Sequence, residues 1–150
     1  LPESQLDRFL MRISLGYPDR AAERELLSGQ DRREMANTLR PLVSPQDLAE
    51  LQQQVLAVHA SDPLLNYVQD LIAATRSGRW FLQGLSPRAG IALVRAAKAQ
   101  ALIMGRDYVA PDDVQAIVAQ TIAHRLVPVG DAGRGAVEQV HAMVAAVDLP

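Results

Sequence analysis

The sequence predicts an all-α bundle of about five to six helices, preceded by a short helix or strand remnant. Three observations carry that prediction. A small residue, a proline and then an apolar run at helical spacing recur in "SPQDL", "SPRAG" and "APDDV". Apolar residues elsewhere repeat at three- and four-residue intervals, as in "SDPLLNYVQDLIAATRSG". Strand-like alternation is confined to one run, Leu10 to Leu15. A lone strand leaves its backbone N–H and C=O groups unpaired. That run therefore either pairs with something absent from this chain or is held irregularly against helices.

The elements follow in order. Asp19 suits the cap of a helix through Leu27, with Ala22, Leu26 and Leu27 on one side. "SGQDRREMANTLRPLV" is polar, poorly periodic and contains Pro41, so it reads as a surface connection with one weak turn and "DRRE" as a solvated face. Pro45 opens a helix towards Val58, with Asp47 near its start and Leu48, Leu51, Val55 and Leu56 on its apolar side. Ser61 caps the next, which carries Leu64, Leu65, Val68, Leu71 and Ile72 and stops at Gly78. Trp80 and Phe81 then read as core anchors. Ser86 and Pro87 open a fourth helix, and Pro111 opens a fifth with Asp112 and Asp113 in its first turn. A final helix runs from about Gly135 to Val147.

A chain of 150 residues is one domain, or one domain with a short appendage, and buries around 70% of its unfolded surface. Without cysteine there are no disulfides, thiolate nucleophiles or zinc–thiolate sites. No apolar run approaches the ~20 residues of a membrane span, and no charged-then-apolar signal segment opens the chain. The expected location is cytoplasmic. The net charge of −2 is an even mixture: the first forty residues hold seven Arg against seven Asp and Glu. Nucleic-acid binders usually present a basic face, so the balance argues against that class. A helix-turn-helix around "MGRDYVAPDD" is disfavoured too, because two acids stand where phosphates need donors.

Lys98 is the one lysine, so no glycine–lysine phosphate loop exists here, and "VGDAGRG" reads as a flexible connector. His59, His124 and His141 lack metal-ligand spacing. His59, Ser61 and Asp62 hold the residue types of a hydrolytic triad but crowd one helix cap. Asp112 and Asp113 read as helix-start carboxylates.

The sharpest feature is Arg88 in "GLSPRAG". Two of the proline-opened helices carry acid in their first turn, which the helix dipole favours; this one carries a cation, at a penalty of roughly 0.3–1 kcal/mol. A guanidinium beside free helix-start N–H groups suits an anion. A surface arginine reaching a nearby carboxylate is the plainer alternative.

Two long stretches resemble the C-terminal part of MoxR-family AAA+ ATPases. "LPESQLDRFLMRISLGYP" resembles the end of that family's nucleotide-binding core, and "LSPRAGIALVRAAKAQALIMGRDYVAPDDVQAIVAQTIAHRL" resembles its helical lid. The resemblance divides the chain into residues 1–18, the trailing core segment, and 19–150, the lid with a C-terminal helix. It implies that Arg88 is the sensor-2 arginine that contacts nucleotide phosphate, with Ser86 beside it. It implies that Arg8, in "LDRF", is an arginine finger presented to the neighbouring subunit's nucleotide; a salt bridge to Asp7 or Glu3 is the alternative. Tyr17 and Pro18 fall at the hinge, where a nucleotide base packs.

The resemblance implies that the intact protein hydrolyses ATP with Mg2+, couples nucleotide state to remodelling or maturation of client protein complexes as a chaperone-like hexameric ring, and partners a von Willebrand factor A domain protein. The phosphate loop and magnesium-holding acids belong to an N-terminal nucleotide-binding domain upstream, so this chain alone is expected to hold no cofactor and to be inactive. No nucleic acid or membrane span is implied. The competing class is a nucleotide-independent helical protein-interaction module.

Overall fold

The computed structural model describes residues 3–29, 36–130 and 135–150. The helices are α1 (Glu3–Leu6), α2 (Arg20–Leu27), α3 (Pro45–Ala57), α4 (Asp62–Arg76), α5 (Pro87–Ile103), α6 (Pro111–Ile122) and α7 (Ala136–Val144), with a 3-10 turn at Ala123–Arg125 after α6. Among the described residues there is no strand, only isolated bridges joining His59 to Tyr108 and Phe81 to Pro128. The all-α class expected from the sequence holds. The centre of the "VGDAGRG" connector and much of the "SGQDRREM" stretch lie outside the described residues.

The run Leu10 to Leu15 forms no strand. Instead the Arg12 N–H donates to the Gln120 carbonyl at 2.8 Å, near the end of α6. A helix end thus supplies the acceptor that a sheet neighbour would have offered, and alternation without a partner strand gives irregular backbone.

Helix starts follow their side chains. Ser61 Oγ accepts from the Leu64 N–H at 3.4 Å, Ser86 Oγ from Ala89 at 3.2 Å, and Asp19 Oδ1 from Ala22 at 2.8 Å. At α3 the exchange is reciprocal: the Ser44 N–H donates to Asp47 Oδ2 at 2.7 Å and the Asp47 N–H to Ser44 Oγ at 3.1 Å. Hydrogen bonding from Ser44, its backbone N–H first, holds the Asp47 carboxyl below the usual carboxylate range. Ala110 has no hydroxyl to offer α6. There the Asp113 carboxylate reaches back to the Ala110 N–H at 2.8 Å and also takes both Arg106 guanidinium nitrogens at 2.6 Å. Asp113 is 2% exposed. Burial pushes its pKa up, but the Arg106 and Ala110 hydrogen bonds outweigh that and hold it below the usual range. Its role is structural, as a helix-start carboxylate should be.

The chain divides into two compact units, Leu1–Arg12 with Gln52–Pro150, and Ile13–Leu51. In the first, α4, α5, α6 and α7 close around one core. Helix α5 contributes Ala89, Leu93, Ala97 and Ala101, each four residues from the next and fully buried. Alanines on that stripe leave room for the close approach of α6, whose Val114, Val118 and Ile122 are also fully buried. Tyr67 and Leu71 of α4, Phe81, and Val140 and Met143 of α7 complete the cluster. Burying a side chain such as Leu93 stabilises by about 1.5–3 kcal/mol. Phe81 and Trp80 are anchors as expected, Trp80 partly covered and packed at the cluster's edge.

The second unit is different in kind. All its described residues are exposed, including Leu15, Tyr17 and Leu42. Helix α2 is amphipathic in pattern and buries nothing. On α3, which begins in this unit and ends in the first, the expected apolar side is largely open: Leu48, Leu51 and Leu56 are exposed, Val55 is half-buried, and no residue of that helix is fully buried.

The Arg106–Asp113 pair generates a stability prediction. Arg106→Ala strands a buried carboxylate, and the melting midpoint of the chain falls by roughly 5–10 °C, measured by circular dichroism.

Candidate functional site

The start of α5 is built by its approach loop. Thr75, at the end of α4, accepts the Leu85 N–H on its hydroxyl oxygen at 3.1 Å while donating to the Ile72 carbonyl at 2.6 Å. Arg76 donates twice to the Leu85 carbonyl, at 3.0 and 2.8 Å. Gly84 lies against the same arginine so closely that a Cβ there would sit 2.2 Å from Arg76 Cγ and 2.8 Å from its Cα. Both backbone groups of Leu85 are thereby fixed, and the residue that follows, Ser86, is delivered as the cap.

Ser86 then consumes its own polar groups. Its hydroxyl oxygen accepts from Ala89, its carbonyl takes the Ala89 and Gly90 amides, and its O–H donates to the Asp7 carboxylate, both of whose oxygens lie at 3.1 Å. Pro87 has no N–H. The Arg88 amide is left without an intrahelical acceptor, and the exposed Arg88 side chain makes no hydrogen bond or ion pair among the described residues. The carboxylate partner proposed by the plainer alternative is not there.

Arg88 opens onto a surface cleft of about 310 Å³ lined by Asp7, Arg8, Leu10, Arg88, Ile91, Ala92, Arg95 and Arg125. Four guanidiniums thus face one carboxylate, and that carboxylate is already engaged. Besides Ser86 it meets Arg125, whose Nε lies 3.1 Å from Asp7 Oδ1, near enough for an ion pair but not aligned for a hydrogen bond. The Arg125 side chain is only 5% exposed. Its other nitrogens donate to the Thr121 carbonyl, to the Asp7 carbonyl at 3.3 Å and to the Phe9 carbonyl at 2.5 Å. Burial lowers the Arg125 pKa, the Asp7 charge opposes that, and the nearby Arg88 adds to it. It remains a cation at any ordinary pH.

The same turn holds the N-terminal segment a second way. His124 Nε2 lies 3.2 Å from the Phe9 carbonyl, so it carries the proton, while Nδ1 is buried without a partner. Burial and the adjacent Arg125 charge hold the His124 pKa below 6.5, against weaker support from the Phe9 and Gln120 carbonyls.

The structure therefore brings Arg8 and Arg88 into one cleft, with Ser86 behind it as the helix cap. Arg8 forms no salt bridge with Asp7, which is taken by Arg125. Tyr17, 98% exposed, and Pro18 belong to the second unit, in irregular chain just before α2. Sequence reading missed three of the charged lining residues, Arg95, Asp7 and Arg125. Arg95 was findable: it stands seven residues after Arg88, two turns along the same face of α5. Asp7 and Arg125 were not, because only the folded chain brings them together. Chemically, four guanidiniums beside one committed carboxylate leave the lining of the cleft net positive. Among the described residues no group of three or more His, Asp or Glu could hold a metal ion, and no helix is long and apolar enough to cross a membrane.

Residues 73–144 match the AAA lid domain family. The chain is 41% identical over 126 residues to the protein YeaC of Bacillus subtilis, which covers 84% of this chain and 39% of YeaC. It is 36% identical over 144 residues to chaperone MoxR1 of Mycobacterium tuberculosis, covering 88% of this chain and 37% of that protein. A solved structure from Cytophaga hutchinsonii, provisionally described as an ATPase, superposes with a TM-score of 0.82 at 30% identity, covering 100% of this chain and 49% of that one. The chain belongs to the MoxR family of AAA+ proteins. It spans about two fifths of the length of the curated relatives it matches.

His124 generates a prediction about acid. Its folded pKa is depressed, so below its ordinary value of 6.5 the unfolded chain binds more protons than the folded one. The stability it contributes is full above pH 6.5 and is lost as pH falls through the lowered value. The melting midpoint at pH 5.5 lies below that at pH 7.5, and His124→Gln shrinks the difference.

Proposed function

We propose that this chain is the C-terminal lid portion of an ATP-hydrolysing, chaperone-like AAA+ protein, residues 1–18 being the trailing segment of its nucleotide-binding core and 19–150 the lid. The observation that carries the reading is Arg88 at the start of a long helix, without a side-chain partner among the described residues and facing a cleft with three further guanidiniums and one committed carboxylate. In this reading Arg88 contacts the end phosphates of a nucleotide whose remaining contacts come from a nucleotide-binding domain in the longer protein. Nucleotide state then changes how tightly the lid is drawn to that domain, and lid movement is passed to a client protein complex. Ser86 acts through the cap, setting the direction of the helix start.

The cleft suits the phosphates of ATP because its lining is cationic and ends at a helix start. Magnesium would be held by residues of the longer protein, since Asp7 is shared between Arg125 and Ser86. When bound, the ion neutralises developing phosphate charge. Tyr17 and Pro18 are proposed to meet the nucleotide base, and ring partners or a von Willebrand factor A domain protein to receive the motion.

Arg8 is proposed as a finger acting on a neighbouring subunit's nucleotide, in a hexameric ring. Its place in the same cleft as Arg88 favours a second reading, in which both serve one phosphate group. Mixed rings separate the two. If Arg8 acts across the boundary, Arg8→Ala subunits depress the turnover of wild-type neighbours more than their fraction; if it acts within its own subunit, activity falls in proportion.

In the intact ATPase, Arg88→Ala lowers the ATP hydrolysis rate at least tenfold and removes the nucleotide-dependent change in lid protection seen by hydrogen exchange. Unaltered turnover together with an unaltered protection pattern would reject the assignment. A nucleotide-independent interaction module predicts no saturable response to ATP at all.

A further inference from the structure

The charge in the cleft exceeds what one terminal phosphate needs. Arg88 and Arg95 stand seven residues apart on α5, roughly 10 Å along the helix axis and nearly in line around it. Both are exposed, both line the cleft, and neither has an ion pair or hydrogen bond among the described residues. Ile91 and Ala92 lie between them on the same wall, so no carboxylate of the helix divides the two cations. Arg8 adds a third guanidinium from the N-terminal segment, with no side-chain partner among the described residues. The fourth, Arg125, is the buried one, fixing Asp7 and holding its positive charge at the back of the cleft. The chain as a whole carries a net charge of −2, so this concentration of positive charge is local.

We infer that Arg95 is a second phosphate-contacting residue and that the cleft selects an extended polyphosphate chain over a single phosphate. Arg88 and the α5 start hold one end of the chain, and Arg95, two turns further on, holds another phosphate of the same ligand. The inference rests on the nucleotide reading for the identity of the ligand, not for the site itself. Its consequence is that the lid distinguishes a triphosphate from a shorter product by the number of phosphates it can bridge.

The test titrates tripolyphosphate and orthophosphate separately into the 150-residue chain at fixed ionic strength, followed by calorimetry and amide NMR. Tripolyphosphate binds at least tenfold more tightly than orthophosphate. Arg95→Gln weakens tripolyphosphate at least fivefold, leaves orthophosphate within twofold and does not move the melting midpoint; Arg95→Lys recovers part of the loss. Arg79→Gln, which removes an arginine stacked 4.8 Å over Trp80 and outside the cleft, changes neither affinity.

Equal affinities for the two anions, no saturable binding, or an Arg95→Gln effect no larger than that of Arg79→Gln would each overturn the inference. Loss of tripolyphosphate binding in Arg88→Gln but not in Arg95→Gln overturns it while leaving the Arg88 assignment standing. If Arg95→Gln behaves as expected but Arg88→Ala leaves ATP turnover in the intact protein untouched, the polyphosphate cleft survives and the nucleotide reading fails.

Discussion

The Asp7 carboxylate is the contact on which the cleft depends. One anion is shared by the Ser86 hydroxyl at the cap of α5 and the buried Arg125 guanidinium after α6. Those two groups flank α5 and α6, the helices that form the main helix–helix contact of the bundle. The N-terminal segment is thereby fixed at the place where the helix start opens to solvent. Arg125 extends the hold through the Asp7 and Phe9 carbonyls, and His124 adds a bond to Phe9. A buried cation with its charge and several N–H groups satisfied is tolerable; one without Asp7 would not be. The arrangement also engages Asp7, the one acid in the cleft lining among the described residues, so that Arg8, Arg88 and Arg95 have no side-chain partner among those residues.

Much of the bundle was legible in the sequence because its signals are local. Ser61, Ser86, Asp19 and Ser44 each cap the helix that their spacing announces, since a cap needs only the next three residues. Proline at the first helical position marked α3, α5 and α6 for the same reason. Periodicity was less dependable where burial depends on something beyond the helix itself. Leu64, Val68 and Leu71 reach the core, whereas Leu48, Leu51 and Leu56 show similar spacing and stay exposed. Spacing shows that a face is apolar, not what covers it. The run Leu10 to Leu15 fails for a related reason: alternation has meaning only beside a partner strand.

The candidate site divides along the same line. Arg88 was visible because a cation at a proline-opened helix start runs against the dipole. Arg95 was within reach of simple helical geometry. Asp7 and Arg125 are 118 residues apart and no local pattern joins them. Their meeting decides the electrostatics, because it commits the acid of the cleft lining to Arg125 rather than to Arg88. In the proposed reading the anion is a nucleotide phosphate, and the geometry leaves this helix start open at the surface of the cleft.

The most direct test is a structure of the longer protein bound to a non-hydrolysable ATP analogue. The account predicts an Arg88 guanidinium nitrogen within hydrogen-bonding distance of a phosphate oxygen, about 2.7–3.2 Å, with Asp7 still on Ser86 and Arg125. Arg88 turned away from the nucleotide, or paired with a carboxylate of the neighbouring domain while phosphate is bound, would contradict it.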